Sequence, residues 1–120
     1  MLNAAEVVYR ASLPAPFTEN DFFEISKRAR ALANNMYVVA PNIGGYHLYT
    51  NSETSIDAGG GQSMIVDHRG ATIGKQRDTS DSTFVSGVIN IEGLRHRRQS
   101  AQVTNWTKDI RAELAQIIYE

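Results

Sequence analysis

The chain has 120 residues, with 12 basic and 13 acidic side chains for a formal charge of -1, 42% hydrophobic content and no cysteine. This is the size of one domain that can bury about two-thirds of its unfolded surface, so neither a metal nor a disulfide is needed to hold it together. Near-neutrality gives no reason to expect a nucleic-acid or membrane partner, and the missing cysteines exclude a disulfide framework, a thiolate metal site and a cysteine nucleophile within the chain.

The N-terminus, Met1 to Glu6, lacks the basic and apolar regions of a secretory signal, which leads us to expect a cytoplasmic protein. No apolar run approaches the ~20 residues of a membrane-spanning helix. Glu6-Val7-Val8-Tyr9-Arg10 is β-branched and aromatic and reads as a buried strand. It cannot run on through Pro14 and Pro16, which remove donors and restrict their neighbours. Thr18 followed by Asp21 has the form of a capping box, with Asn20 as a rival cap. Phe22, Ile25, Ala29, Leu32 and Met36 then repeat at three and four residues, predicting a helix that buries this stripe and leaves Lys27, Arg28 and Arg30 mostly outside it. Asn34-Asn35 supplies a stop, because Asn accepts the left-handed conformation.

Tyr37-Val38-Val39-Ala40 reads as a second buried strand, ended by Pro41-Asn42. Strand, helix, strand over this length predicts a parallel βαβ unit with a right-handed crossover. Ile43 to Ala58 shows no clear period and reads as a long loop. Gly59 to Gly61 releases the backbone into the strand Met64-Ile65-Val66. Asp67-His68-Arg69-Gly70 supplies turn chemistry, and Ala71-Thr72-Ile73 returns, so a hairpin is expected here. Lys75 to Ser82 is polar and predicted exposed. Phe84 to Ile91 is the longest strand candidate, with Gly87 as a point of bulge or close approach. Glu92 to Arg98 reads as a short helical turn, and Trp106, Ile110, Leu114 and Ile117 as one stripe of a closing helix. The fold class is α/β, or α+β with a mixed sheet and helices on one face.

Few residues suggest chemistry of their own. His47, His68 and His96 are scattered and no pair has ligand spacing, so we expect no metal. Gly70 to Lys75 has the outline of a phosphate loop. Its glycines are too close, Gln76 stands where Ser or Thr is needed, and the triple glycine leads into a strand instead of a helix N-terminus. Arg95-His96-Arg97-Arg98 is the basic cluster of the chain and suits either a solvated helical turn or an RNA contact. Asn105-Trp106-Thr107 matches a glycosylation acceptor, which means nothing without a secretory signal. Ser12 has no glycine elbow and no partners for a triad. The residues alone stop at a soluble αβ domain without a self-sufficient catalytic set.

The ordered segments resemble the nitrilase (carbon–nitrogen hydrolase) superfamily over nearly the whole chain. Ala5 to Ser12 looks like the strand that follows that family's catalytic cysteine. Arg28 to Asn42 is similar to its arginine-rich helix running into an apolar strand that ends in Asn, and Gly60 to Gly70 to its glycine, Ser, strand, Asp and Gly hairpin. Ile91 to Arg98 and Arg111 to Glu120 have counterparts in the nitrilase- and amidase-like branches. Ala33 departs from the pattern, standing where the family usually has Glu.

The resemblance implies half of a four-layer αββα sandwich and a Glu-Lys-Cys triad. The thiolate attacks a nitrile or amide carbon, Glu moves the proton and Lys stabilises the developing charge. All three lie upstream of the matched segment; Lys27, Lys75 and Lys108 fall at none of the triad positions. Residues 1–120 therefore read as the C-terminal portion of a hydrolase acting on non-peptide C–N bonds of nitriles, amides or carbamoyl compounds. No catalytic residue, metal or cofactor belongs to the chain, and alone it is expected to be inactive. The resemblance places Ser12, Leu13 and Asn42 at the substrate pocket, although Ser12 and Asn42 equally suit a strand-end backbone role. The loop from Ile43 to Ala58 would sit near the pocket mouth.

In the resembled fold a second sheet covers one face of this one. Exposing residues of the Val38, Met64, Val66 and Val88 kind forfeits about 1.5–3 kcal/mol each, against a domain stability of roughly 5–15 kcal/mol. The expected partners are thus a small nitrile or amide in the parent enzyme, and either a second copy or the missing half. The alternative is a non-catalytic remnant serving as an interaction and assembly module.

Overall fold

Two β-branched runs set the frame: Val7–Tyr9 forms β1 and Tyr37–Ala40 forms β2, paired in parallel with Val8 opposite Val38. The computed structural model describes residues 5–12, 22–47, 55–57, 60–76 and 84–100. Between the two strands runs helix α1, Phe22–Asn34, which completes the expected βαβ unit. Asn35 ends the helix with a φ of 44°, the left-handed conformation that Asn tolerates. Gly45–His47 (β3) and Ser55–Asp57 (β4) then pair antiparallel. The segment read as an aperiodic loop therefore contains a small two-stranded ribbon, whose strands of three residues are too short to show a period.

Met64–Val66 (β5) and Thr72–Lys75 (β6) form the expected hairpin, and β5 also pairs antiparallel with β2, giving the sheet order β1-β2-β5-β6. Asp67 builds the turn. Its Oδ1 accepts the Arg69 and Ala71 N–H groups at 2.8 and 2.9 Å, while Gly70 takes a φ of 79°. Helix α2, Ile91–Gln99, starts from Asn90, whose Oδ1 caps the Gly93 N–H at 2.8 Å.

The core lies between α1 and one face of the sheet: Ala31, Met36, Val38, Ala40, Met64 and Val66, with Val8 and Phe23 packed against them. Four expectations change here. First, the helix presents Phe23, Lys27 and Ala31 inward, while Phe22 and Ile25 are 59% and 60% exposed. Small Ala31 lets the helix approach the strands. Lys27 buries its stem and sets its ammonium 4.1 Å from the Phe23 ring centre, where burial pushes its pKa down. Arg28 Nε on the Gly70 carbonyl at 2.8 Å and Glu24 on Lys75 at 2.6 Å fix this rotation. Second, Val38, Met64 and Val66 are buried beneath α1, so the opposite face instead carries Tyr9, Val39 and Ile65.

Third, β1 is an edge strand, with Val7 41% and Tyr9 70% exposed, and is not buried. Fourth, residues 84–90 are extended but join no described strand in a ladder. They pass β6 in direct contact: a Cβ on Gly74 would lie 2.6 Å from Val85 Cγ1 and 2.8 Å from the Ser86 carbonyl oxygen. A Cβ on Gly87 would in turn lie 3.1 Å from the Ile73 side chain, so the segment packs against β6, with Phe84 and Val88 86% and 87% exposed.

Helix α2 lies across the end of the sheet where β1 and β2 begin. Its basic cluster is divided: Arg95 and His96 are exposed, as a solvated helical turn requires, whereas Arg97 and Arg98 are half-buried. Arg95 binds Glu6 at 2.7 and 3.2 Å, Arg97 donates to Asn35 Oδ1, and Arg98 donates to the Asn35 and Ala5 carbonyls. The Thr18–Asp21 cap and the Trp106–Ile117 stripe fall outside the described residues.

Candidate functional site

At the opposite end of the sheet the chain leaves β1 and β2 and enters β5. The parallel register of β1 and β2 continues past the ends of both strands, so that Ser12 and Asn42 form an isolated bridge with the Ser12 N–H on the Pro41 carbonyl at 3.1 Å. The structure thus brings together two of the three expected pocket residues. Leu13, the third, lies outside the described residues.

Asn42 is held from the other side by β5. Its backbone N–H donates to Ser63 Oγ at 2.9 Å, Ser63 Oγ donates back to the Asn42 carbonyl at 3.2 Å, and Asn42 Nδ2 donates to the Gly61 carbonyl at 2.7 Å. The Gly61 N–H in turn reaches the Ile43 carbonyl at 3.0 Å. Gly60, Gly61 and Gln62 follow one another with φ of 70°, 58° and 62°. Three successive left-handed residues turn the chain sharply enough to bring the Gly61 carbonyl under Asn42. Two of them are glycine, for which this conformation carries no Cβ penalty; Gln62 pays one.

Ser63 and Gln62 were missed as site residues. A signal existed: the β2–β5 register pairs Val38 with Val66 and Ala40 with Met64, and its extension sets Asn42 beside Gln62 and Ser63. That register depends on which strands pair, and sequence order does not state it.

Ser12, Asn42 and Ser63 are uncharged hydrogen-bonding groups. They can orient an amide-like group but carry neither a nucleophile activated by a base nor a proton donor tuned near neutrality. The titratable groups with displaced pKa values, Glu6, Glu24, Lys27, His68 and Arg95, belong to α1, the hairpin and the α2 end. Among the described residues no three His, Cys, Asp or Glu side chains form a group able to hold a metal.

This arrangement of sheet and helices recurs in solved structures. A carbon–nitrogen hydrolase from Helicobacter pylori superposes over 99% of this chain with a TM-score of 0.68 at 18% identity. The fold is of the nitrilase type. The C. elegans NitFhit protein matches 92% of the chain with a TM-score of 0.69 at 24% identity. A cysteine-to-alanine mutant of an amidase from Nesterenkonia, in complex with butyramide, matches 93% with a TM-score of 0.55 at 19% identity. The chain spans 42%, 24% and 34% of those three chains, less than half of each. No family model and no curated protein matches it. Among the described residues no helix is long and apolar enough to cross a membrane.

Proposed function

We propose that this chain is the C-terminal portion of a carbon–nitrogen hydrolase acting on nitriles, amides or carbamoyl compounds, with its Cys, Lys and Glu supplied upstream. The observation that carries this reading is the joint one: a nitrilase-type fold over 99% of the chain, and not one cysteine in 120 residues. In this reading Ser12, Leu13 and Asn42 line the substrate pocket at the strand ends, and Ser63 fixes Asn42 there. The 120-residue chain alone does not turn over substrate.

The test is an assay of the purified chain against a panel of aliphatic and aromatic nitriles and amides, together with sequencing of the DNA upstream of Met1. The expected results are release of ammonia no greater than a blank, and an in-frame cysteine within a few tens of codons. Turnover by the chain alone would refute the division of labour, and a promoter with its own start site at Met1 would refute the parent enzyme.

The partner of this portion is the upstream half, a second copy, or both. Exposed apolar residues support association: Ile25 at 60% on α1, Tyr9 at 70% on β1, and Phe84 and Val88 in the segment 84–90 at 86% and 87% exposure. Light scattering on the eluting chain is expected to give a mass above that of one copy, and a stable monomer would refute this.

A further inference from the structure

We propose that His68 is a pH-responsive latch on α2: neutral, it packs against Tyr37 and holds the first turn of α2 on the sheet; protonated, it leaves that place and the turn is released. His68 lies in the β5–β6 turn, is only 5% exposed, and among the described residues neither ring nitrogen has a hydrogen-bond partner. Its ring meets that of Tyr37 edge-on, with centres 5.3 Å apart at 63°. It therefore works as an apolar plug, a use of histidine that holds only while the ring is uncharged.

Tyr37 carries the position of that plug to α2. Its Oη accepts the Asn90 N–H at 3.1 Å and donates to the Asn90 carbonyl at 3.4 Å. Asn90 is the helix cap: its Oδ1 accepts from Gly93 and its carbonyl from Leu94, whose side chain is fully buried. A shift of the Tyr37 ring thus reaches the first turn of α2 through one residue.

A proton on His68 would turn its second ring nitrogen into a donor as well, so that two N–H groups and a positive charge would face no acceptor among the described residues. The charges around it pull both ways: Asp67 favours the cation, and Arg69 from its own turn and Arg97 and Arg98 from α2 disfavour it. Asp67 Oδ1 is already engaged by the Arg69 and Ala71 N–H groups. Burial, the largest cause, outweighs the opposing Asp67 carboxylate and, with the smaller contributions of the three arginines, holds His68 below the ordinary histidine value of 6.5. The neutral plug is therefore in place at neutral pH and fails on acidification. The Arg95–Glu6 pair survives this window, because Arg95 keeps the Glu6 carboxyl ionised below its ordinary value. The first turn then opens while the arginine end of the helix stays attached.

Amide hydrogen exchange on the full chain tests this, read at Gly93 and Leu94 between pH 7.5 and 5 and corrected for intrinsic rates. We expect protection there to fall, by up to about tenfold per pH unit, between the ordinary histidine value of 6.5 and the lower value of the latched ring, and to level off below it, with Val39 in β2 unaffected, and with the midpoint of that levelling-off matching that of the His68 ring signals in the NMR spectrum. His68→Phe should keep protection constant across the range. Tyr37→Phe should leave His68 titrating but separate the two midpoints. Unchanged protection in the native chain, midpoints that differ, or the same loss in His68→Phe would overturn the latch; the midpoint comparison needs only the native chain.

Discussion

Ser63 Oγ accepts the Asn42 N–H at 2.9 Å and donates to the Asn42 carbonyl at 3.2 Å, so one hydroxyl closes the end of β2 onto the start of β5. Ser63→Ala removes both bonds and leaves a partly buried donor and acceptor to water. A loss of about 1–2 kcal/mol is expected in urea unfolding, with far-UV circular dichroism unchanged. If the Proposed role of Asn42 holds, the same substitution in the complete hydrolase should raise KM for amides more than it lowers kcat.

Asn35 does two things at the α1 to β2 junction. It takes a φ of 44°, and its Oδ1 and carbonyl accept Arg97 and Arg98 from α2. Asn35→Ala meets both the left-handed strain and the loss of a buried acceptor, so a destabilisation of about 2–3 kcal/mol is expected. Asn35→Gly keeps the backbone conformation and should recover about 1 kcal/mol of that. Equal losses from the two substitutions would assign the whole effect to the side chain.

These two residues mark what the sequence discloses. The stop at Asn35 was legible because left-handed tolerance is a property of one residue, and the hairpin around Asp67 and Gly70 was legible for the same reason. The rotation of α1 was not. Phe22-Ile25-Ala29-Leu32 and Phe23-Lys27-Ala31 both run along the helix, and the choice between them rests on Arg28 reaching Gly70 and Glu24 reaching Lys75, contacts that span 42 and 51 residues. At the candidate site Ser12 and Asn42 lay at visible strand ends, whereas Ser63 depended on β5 pairing with β2. Within the basic run Arg95 to Arg98, the exposed helical turn was legible, whereas the Asn35 and Ala5 oxygens that hold Arg97 and Arg98 were not, because they lie 62 to 93 residues away.

Glu24 is held ionised below its ordinary value of 4.5, chiefly by the hydrogen bond from Lys75 at 2.6 Å, with Thr72 and Arg28 adding to it. Because the folded-state value is depressed, the unfolded chain binds more protons as pH falls below 4.5. The stabilisation is therefore complete above that pH and is lost on acidification through the folded-state value. The pair is partly solvated, which limits it to about 1 kcal/mol or less. Lys75→Met should flatten this part of the stability–pH curve, lowering stability above pH 4.5 more than at its acid end. A curve that keeps its full slope in Lys75→Met would place the titration elsewhere.

Gly74 faces residues 84–90 at a distance that leaves no room for a side chain. A Cβ there would lie 2.6 Å from Val85 Cγ1 and 2.8 Å from the Ser86 backbone oxygen. Gly74→Ala should therefore push the extended segment off β6 at a cost of about 1–3 kcal/mol, seen as a lower urea midpoint and faster proteolysis between Phe84 and Asn90. Val85→Ala in the same chain removes the side-chain clash but leaves the carbonyl, so the double variant should recover only part of the loss. Full recovery would mean that Val85 alone sets the spacing; no loss in Gly74→Ala would mean that the segment does not rest on β6.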